Sequence, residues 1–336
     1  MLTRALKRRV MVALAIPVAL FLTGAVYQTL SVRRESIRFP PPGRLILVGS
    51  KRRLNFVCLG KGEPTVIFES GGFTNSLSFC AARQELSLST RVCSYDRMGM
   101  GWSDPAPGVI SVGMLADDLQ SLIAQAGLQP PFILVPSSLG GLTAEMFARR
   151  NPEKTAGLVF VDAANSAMID ALAARFSQTQ MSLTCLAEPA ARFGVLRLLD
   201  PFGLRKERSE AAERSISRLY RVEPMQTLCG LVHGLPATQE EFRAAPPLAS
   251  HVPLRVLIHE QPYGFLPARL AKFKTFSNRI ASFDSEWIVL QQRFARSSSR
   301  GAWSVVPGSN HLIASDQPHT VAASVLEVVA EIRTGR

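Results

Sequence analysis

Ser138 stands in the run Pro136-Ser137-Ser138-Leu139-Gly140-Gly141, a glycine-flanked serine of the kind that can serve as a nucleophile. Residues 132–135, Phe-Ile-Leu-Val, precede it as a short apolar, β-rich segment, the mark of a buried parallel strand. Residues 141–150 follow with helix formers and with Leu142, Met146 and Phe147 as apolar positions. Strand, sharp turn and helix would lift Ser138 clear of a sheet and set it beside the amino end of the helix. There the Leu139 N–H faces a developing oxyanion. The plainer reading of the same string is a turn before a helix. Pro136 occupies the first glycine position of a G-x-S-x-G pattern, and its missing N–H is tolerable at the end of a strand. A serine hydroxyl also needs a base to take its proton and a third group to orient that base. The chain offers five histidines, His233, His251, His259, His311 and His319.

The elements that must position such groups are readable around the serine. Residues 64–72, Pro-Thr-Val-Ile-Phe-Glu-Ser-Gly-Gly, form a strand that ends in a glycine turn. Residues 91–104 form a second strand and its loop, with Asp96-Arg97 and the Gly99 to Asp104 string. The spacing of Leu115, Leu119 and Leu122 predicts a helix over 111–125 with Ser111 as its N-cap. An apolar strand over 157–162 ends in Asp162, and 304–311 reads Ser-Val-Val-Pro-Gly-Ser-Asn-His. A terminal helix follows with Val321, Val325, Val328 and Ile332 on one face.

Taken in order over residues 41–333, these motifs resemble those of the α/β-hydrolase superfamily. The resemblance implies an α/β-hydrolase fold: a mostly parallel central sheet with helices on both faces and a helical cap inserted after the sixth strand. It implies Ser138 as nucleophile and His311 as base, on a loop at the carboxyl edge of the sheet. For the acid, many members place an aspartate after the seventh strand, but here that turn reads His259-Glu260-Gln261-Pro262-Tyr263-Gly264. The other location, directly after the sixth strand, holds Asp162, which also satisfies the Ser…Asp…His chain order. Glu260 is the alternative acid, and a strand-end aspartate can also simply cap the next turn.

The oxyanion donors would be the N–H groups of Leu139 and Gly72, with Phe73 next in line. Asp96-Arg97 and its loop are architectural in the family. The implied chemistry is hydrolysis of a small-molecule ester or related acyl bond through an acyl-enzyme, with no metal or organic cofactor. A serine at the elbow argues against haloalkane dehalogenase and epoxide hydrolase chemistry, which use a carboxylate there. Serine-dependent C–C hydrolases, amidases and perhydrolases share the arrangement. A second class, a non-catalytic ligand-binding or sensor protein, draws on Pro136 and on the missing aspartate after the seventh strand.

The chain is long enough, at 336 residues, for one large α/β domain. Its net charge of +12 comes without a basic stripe interleaved with aromatics, so nucleic acid is not the expected partner. A membrane is. Residues 10–30 carry no charge and are mostly apolar, enough to span about 30 Å as a helix. The basic tail 1–9, with Arg4, Lys7, Arg8 and Arg9, fits a cytoplasmic amino end. The expectation is a single-pass signal anchor over 10–30 with the catalytic domain on the extracytoplasmic, periplasmic side; a cleaved signal peptide and a buried helix are the rivals. Residues 31–43, ending Pro40-Pro41-Pro42-Gly43, read as a stiff linker. The core then occupies 44–165 and 251–336, and the cap 166–250.

The cap carries Arg192, Arg197, Arg205, Arg208, Arg214, Arg218 and Arg221, read as solvated rather than as contacts to lipid headgroups. Its Phe193, Leu196, Leu198, Leu199 and Phe202 would line an acyl pocket or form the inner faces of helices. The five cysteines show no metal-ligand spacing. Each reads most simply as a small buried side chain. Outside the cytoplasm pairs could oxidise, and the resemblance sets Cys58 and Cys93 on neighbouring strands and Cys185 and Cys229 in the insertion.

Overall fold

Strands that are buried on both faces write themselves as continuous apolar runs, and four such runs make the centre of the sheet. They are β3 (Thr65–Glu69), β5 (Phe132–Ser138), β6 (Thr155–Ala163) and β7 (Leu254–His259). The computed structural model describes residues 4–49, 52–106, 108–175, 178–201, 210–261 and 274–335. With β1 (Arg44–Val48), β2 (Arg52–Leu59), β4 (Val92–Tyr95) and β8 (Gly301–Val306) they form one eight-stranded sheet in the order β1-β2-β4-β3-β5-β6-β7-β8. The pairs β1·β2 and β2·β4 are antiparallel and the rest are parallel.

Side chains alternate across this sheet. Phe132 and Leu134 of β5 pack on one face, Ile133 and Val135 on the other; Leu158 and Phe160 of β6 alternate with Val159 and Val161 in the same way. The first face is covered by α3 (Val112–Gln125), α4 (Gly140–Arg150) and α12 (Lys274–Ala295). The second is covered by α2 (Cys80–Leu86) and α14 (Pro318–Thr334), with the short α13 (Ile313–Asp316) between β8 and α14. Ser111 caps α3 by accepting from the Met114 N–H at 3.4 Å. Val321, Val325 and Val328 are buried along one face of α14 with Ile332 packed beside them.

Between β6 and β7 the cap is helical. It comprises α5 (Ser166–Arg175), α6 (Gln178–Ser182), a 3-10 turn at Leu183–Leu186, α7 (Ala187–Arg192), α8 (Val195–Leu199), α9 (Glu210–Leu219), α10 (Val222–His233) and α11 (Leu235–Ala244). Glu241 of α11 pins the cap to the core, accepting from Ser111 Oγ at 2.5 Å and from the Gly113 N–H at 2.7 Å. Disulfides join Cys58 to Cys93 and Cys185 to Cys229. The first links facing residues of β2 and β4, and the second ties the 3-10 turn to α10. These four are therefore half-cystines rather than small apolar side chains; Cys80 is a free thiol.

The amino-terminal helix α1 (Arg4–Arg38) departs from the expected linker. Residues 31–38 contain neither glycine nor proline and continue the helix, leaving only 39–43 as an extended connection. Tertiary contacts hold these last turns: Arg197 pairs with Glu35, Arg221 donates to Ser36 Oγ at 2.9 Å, and Arg218 donates to the Phe39 carbonyl at 2.5 Å. Arg197 and Arg218 are thus buried, contrary to the solvated reading, because α1 brings them polar partners. Burial and the neighbouring Arg221 pull the Arg218 pKa down to about 10. Arg192 and Arg214 make partly exposed ion pairs with Glu188 and Glu210. Phe202, Arg205 and Arg208 lie outside the described residues.

Candidate active site

Ser138 closes β5 in the left-handed backbone region, at φ 49°. For a residue with a side chain that conformation costs about 1–3 kcal/mol. The surrounding packing holds it there. The Ala164 N–H donates to the Ser138 carbonyl at 2.7 Å. The two glycines that follow let the elbow wedge between neighbouring strands. A Cβ at Gly140 would fall 2.6 Å from the carbonyl oxygens of Glu69 and Ser70, and one at Gly141 would fall 2.0 Å from that of Ala164. Pro136 faces Glu69 inside the sheet, so a proline at this elbow is accommodated in a central strand close to its end.

The Ser138 Oγ lies 2.9 Å from His311 Nε2, and His311 Nδ1 lies 2.5 Å from Asp162 Oδ2. The structure therefore brings together Ser138, His311 and Asp162 from three sheet-edge segments. Glu260 points elsewhere: its Oε2 accepts from the Gly308 N–H at 2.9 Å and so fastens the turn that leads to His311. His319 is exposed and pairs with Glu85, His251 is exposed, and His233 lies beside the Cys185–Cys229 disulfide. The Pro262-Tyr263-Gly264 part of the turn after β7 lies outside the described residues.

Asp162 is fully buried at φ 46° and every oxygen lone pair it turns inward meets a donor. Oδ1 accepts from Trp287 Nε1 at 3.0 Å and from Gln291 Nε2 at 2.7 Å. Oδ2 is shared by His311 and by His259 Nδ1, the latter at 2.7 Å. His259 Nε2 in turn lies 2.9 Å from Asp284 Oδ1. Burial opposes ionisation of Asp162, but the bonds from His259 and His311 together outweigh it and hold the carboxyl below its ordinary range. Burial likewise opposes charge on His259, yet the bonds and charges of Asp162 and Asp284 raise its pKa above the ordinary value. Trp287 meets the His311 ring edge-on, with centroids 5.7 Å apart.

The sequence shows His259 as one of five histidines and sets no motif on Asp284, Trp287 or Gln291. Its available signal was the 284, 287, 291 spacing, which sets three polar-tipped side chains on one face of α12.

The loop after β3 approaches the elbow from the other side. A Cβ at Gly71 would lie 3.0 Å from that of Ser138, and one at Gly72 would lie 3.6 Å from that of Leu139. Arg97 sits beneath this loop, 3% exposed, donating to Glu69 Oε1 at 2.8 Å, to the Ser70 carbonyl at 2.6 Å and to the Gly71 carbonyl at 2.5 Å. In a trans peptide the carbonyl and the next N–H point opposite ways. Anchoring the Gly71 carbonyl on Arg97 therefore turns the Gly72 N–H away from the guanidinium. Burial pushes the Glu69 carboxyl up, against Arg97 and the Tyr95 hydroxyl, which donates to it. The Leu139 N–H opens α4, where the first-turn amides have no partner within the helix.

Two donor sets have metal-like proximity among the described residues, Asp162 with His259 and His311, and Cys185 with Cys229 and His233. In the first, the facing atoms are already spent on one another; in the second, both sulfurs are in a disulfide.

Residues 64–199 match the family described as the alpha/beta hydrolase fold. Among solved structures the chain resembles a thermophilic esterase from Thermogutta terrifontis, with TM-score 0.62 and 22% identity over 86% of this chain and 98% of that one. It also resembles a putative epoxide hydrolase from Pseudomonas aeruginosa, with TM-score 0.64 and 20% identity over 88% and 98%. At such identities the likeness establishes the fold. Curated relatives match shorter stretches. An uncharacterized protein of Schizosaccharomyces pombe is 46% identical over 78 residues, covering 23% of this chain and 15% of that protein. An uncharacterized vacuolar membrane protein of Saccharomyces cerevisiae is 34% identical over 106 residues, covering 30% and 16%. An sn-1-specific diacylglycerol lipase of Mus musculus is 34% identical over 101 residues, covering 30% and 32%. The chain thus spans less than a third of the length of each of these relatives.

Proposed function

We propose that this α/β-hydrolase is a membrane-anchored serine hydrolase that cleaves an ester or related acyl bond. The observation that carries the reading is the continuous contact from Ser138 through His311 to Asp162 at 2.9 and 2.5 Å. His311 Nε2 takes the Ser138 proton as Oγ attacks the acyl carbon, and Asp162 fixes the ring so that Nδ1 keeps its proton. The N–H groups of Leu139 and Gly72 receive the developing oxyanion. Collapse of the tetrahedral intermediate expels the alcohol, which takes its proton from His311. A water activated by the same ring then releases the acid. Serine at this position forms an acyl ester rather than the alkyl ester that a carboxylate would form, which favours acyl hydrolysis over epoxide opening.

Within α1, residues 15–38 include a stretch long and apolar enough to cross a membrane, with a mean hydropathy of 1.5 and almost none of it buried. That stretch, the basic tail before it and the vacuolar membrane location of the yeast relative support an anchor. The two disulfides support an oxidising, extracytoplasmic setting for the catalytic domain. Purified full-length protein in detergent should hydrolyse p-nitrophenyl esters, and Ser138→Ala should abolish turnover with the fold unchanged by circular dichroism. Equal turnover by the variant would remove the reading.

A further inference from the structure

Along one edge of the cap, burial runs against polarity. The short α8 turns Arg197 inward at 2% exposure and leaves Leu198 and Leu199 62% and 72% exposed. Val195, Leu198 and Leu199 share the i, i+3, i+4 spacing of one helix face, so the apolar face looks out. The 3-10 turn before it does the same, with Leu183 60% and Leu186 65% exposed. Single exposed leucines are ordinary on soluble proteins, but a helix facing water places its arginine outside and its leucines inside.

This edge abuts α1 at the level of the uncharged run. Phe193 packs on Phe21 with ring centroids 4.8 Å apart, and the backbones of Gly24 and Gly194 approach so closely that a Cβ at Gly24 would meet the Phe193 carbonyl at 2.4 Å. Gly24 precedes Leu30 by six residues, about 9 Å along the helix axis. The cap therefore docks beside the apolar run and not beyond its end. Two threonines and a glutamine at this level turn to partners within the protein. Thr23 and Thr29 donate to the carbonyls of Ala19 and Ala25, each at 2.8 Å. Gln28 is buried between the Tyr220 carbonyl and Arg197, which also pairs with Glu35 toward the catalytic domain. That is how polar side chains are satisfied where water is scarce.

We infer that Leu183, Leu186, Val195, Leu198 and Leu199 are seated in the bilayer that α1 crosses, in the leaflet nearest the catalytic domain. The occupant of this surface is lipid acyl chain. The seat connects to the site through the chain: Cys185, between the exposed leucines, is bonded to Cys229, and a Cβ at Gly72 would lie 3.5 Å from the adjacent Leu228. Resting on the anchor and hydrolase readings, the substrate class is an amphiphilic ester drawn from the membrane rather than from water.

The test reconstitutes full-length protein in phosphatidylcholine vesicles whose acyl chains carry or lack bromine. In a Cys80→Ser background, single cysteines introduced by Leu22→Cys, Leu183→Cys, Leu199→Cys or Leu88→Cys are labelled with bimane. Bromine should quench the labels at 22, 183 and 199 and spare the one at 88, which marks an exposed turn before β4. Quenching at 22 alone overturns the seat and leaves the anchor standing, and quenching at none overturns both. In a kinetic arm, Leu198→Ser combined with Leu199→Ser should cut severalfold the hydrolysis of a long-chain acyl ester dissolved in the vesicles, with p-nitrophenyl acetate unaffected. An equal loss on both esters overturns the delivery role. Absence of turnover by the unsubstituted protein overturns the hydrolase reading and the delivery clause, while the quenching result decides the seat on its own.

Discussion

Oδ2 of Asp162 is held by two imidazoles at once, His311 at 2.5 Å and His259 at 2.7 Å. Both nitrogens of His259 face carboxylate oxygens, and a ring nitrogen binds such an oxygen only through a proton. The bonds and charges of Asp162 and Asp284 raise the His259 pKa and so favour its imidazolium form. That form offsets part of the negative charge that Asp162 directs at His311.

His259→Gln should therefore leave the full field of Asp162 acting on His311. The pH–rate profile of His259→Gln should differ from that of the wild type, because the charged form of His259 that Asp162 and Asp284 favour is absent. The described groups facing His259 include Asp162 of β6, Asp284 of α12 and His311 through the oxygen they share. Stability should change with pH as well. The His259 contribution is complete below about pH 6.5 and fades as pH rises through its elevated folded pKa. Urea titrations of wild type and His259→Gln should converge above that value; a constant gap at all pH would mean that His259 acts by packing alone.

Asp162→Asn should lower kcat by about three to four orders of magnitude, since it removes the acceptor that fixes the His311 ring. Acid lability has the opposite sign here: Asp162 is held below its ordinary range, so its contribution is lost as pH falls through that depressed value. Glu260→Gln keeps an oxygen that can accept from the Gly308 N–H and should change kcat by less than about threefold. Comparable losses in the two variants, measured on one soluble ester, would reverse the assignment of the acid.

Much of this site is legible in the sequence, for identifiable reasons. Ser138 is marked by the glycines that its turn requires, and Asp162 by the strand it terminates. His311 is marked by the small-residue turn before it. His259 is written at the end of an apolar strand with no local sign that Asp162 and Asp284 converge on it from 97 and 25 residues away. The helical state of 31–38 depends on contacts with Arg197 and Arg221, which local composition does not encode. Leu198 and Leu199 have the spacing of a core face, and periodicity does not say which side of a helix faces the core. Their exposure corrects the reading of these two residues as pocket lining or inner helix face.

Truncation separates the two parts of α1. Removing residues 1–18 should leave cap stability intact, because Phe21, Gln28 and Glu35, which touch the cap, all remain. Removing 1–35 strips Gln28 and Glu35 from buried Arg197 and Phe21 from Phe193. That deletion should expose the cap to limited proteolysis while the sheet, which begins at Arg44, stays protected. Equal resistance of the two truncations would show that α1 contributes nothing to holding the cap.

Arg97→Met tests the proposed oxyanion role of the loop after β3 without touching Ser138, His311 or Asp162. Losing its bonds to the Ser70 and Gly71 carbonyls frees the peptide that orients the Gly72 N–H. The expected result is a kcat loss of about ten- to a hundredfold with KM little changed, since an oxyanion donor acts in the transition state. A rise in KM with kcat intact would place Arg97 in substrate binding instead.

The most direct measurement is the site of attachment of a fluorophosphonate probe on the full-length protein, read by peptide mass spectrometry. The adduct should sit on Ser138, persist in Ser137→Ala, and be absent in Ser138→Ala and in His311→Ala, because nucleophile and base act as one unit. An adduct on Ser137, or undiminished labelling in His311→Ala, would contradict the account.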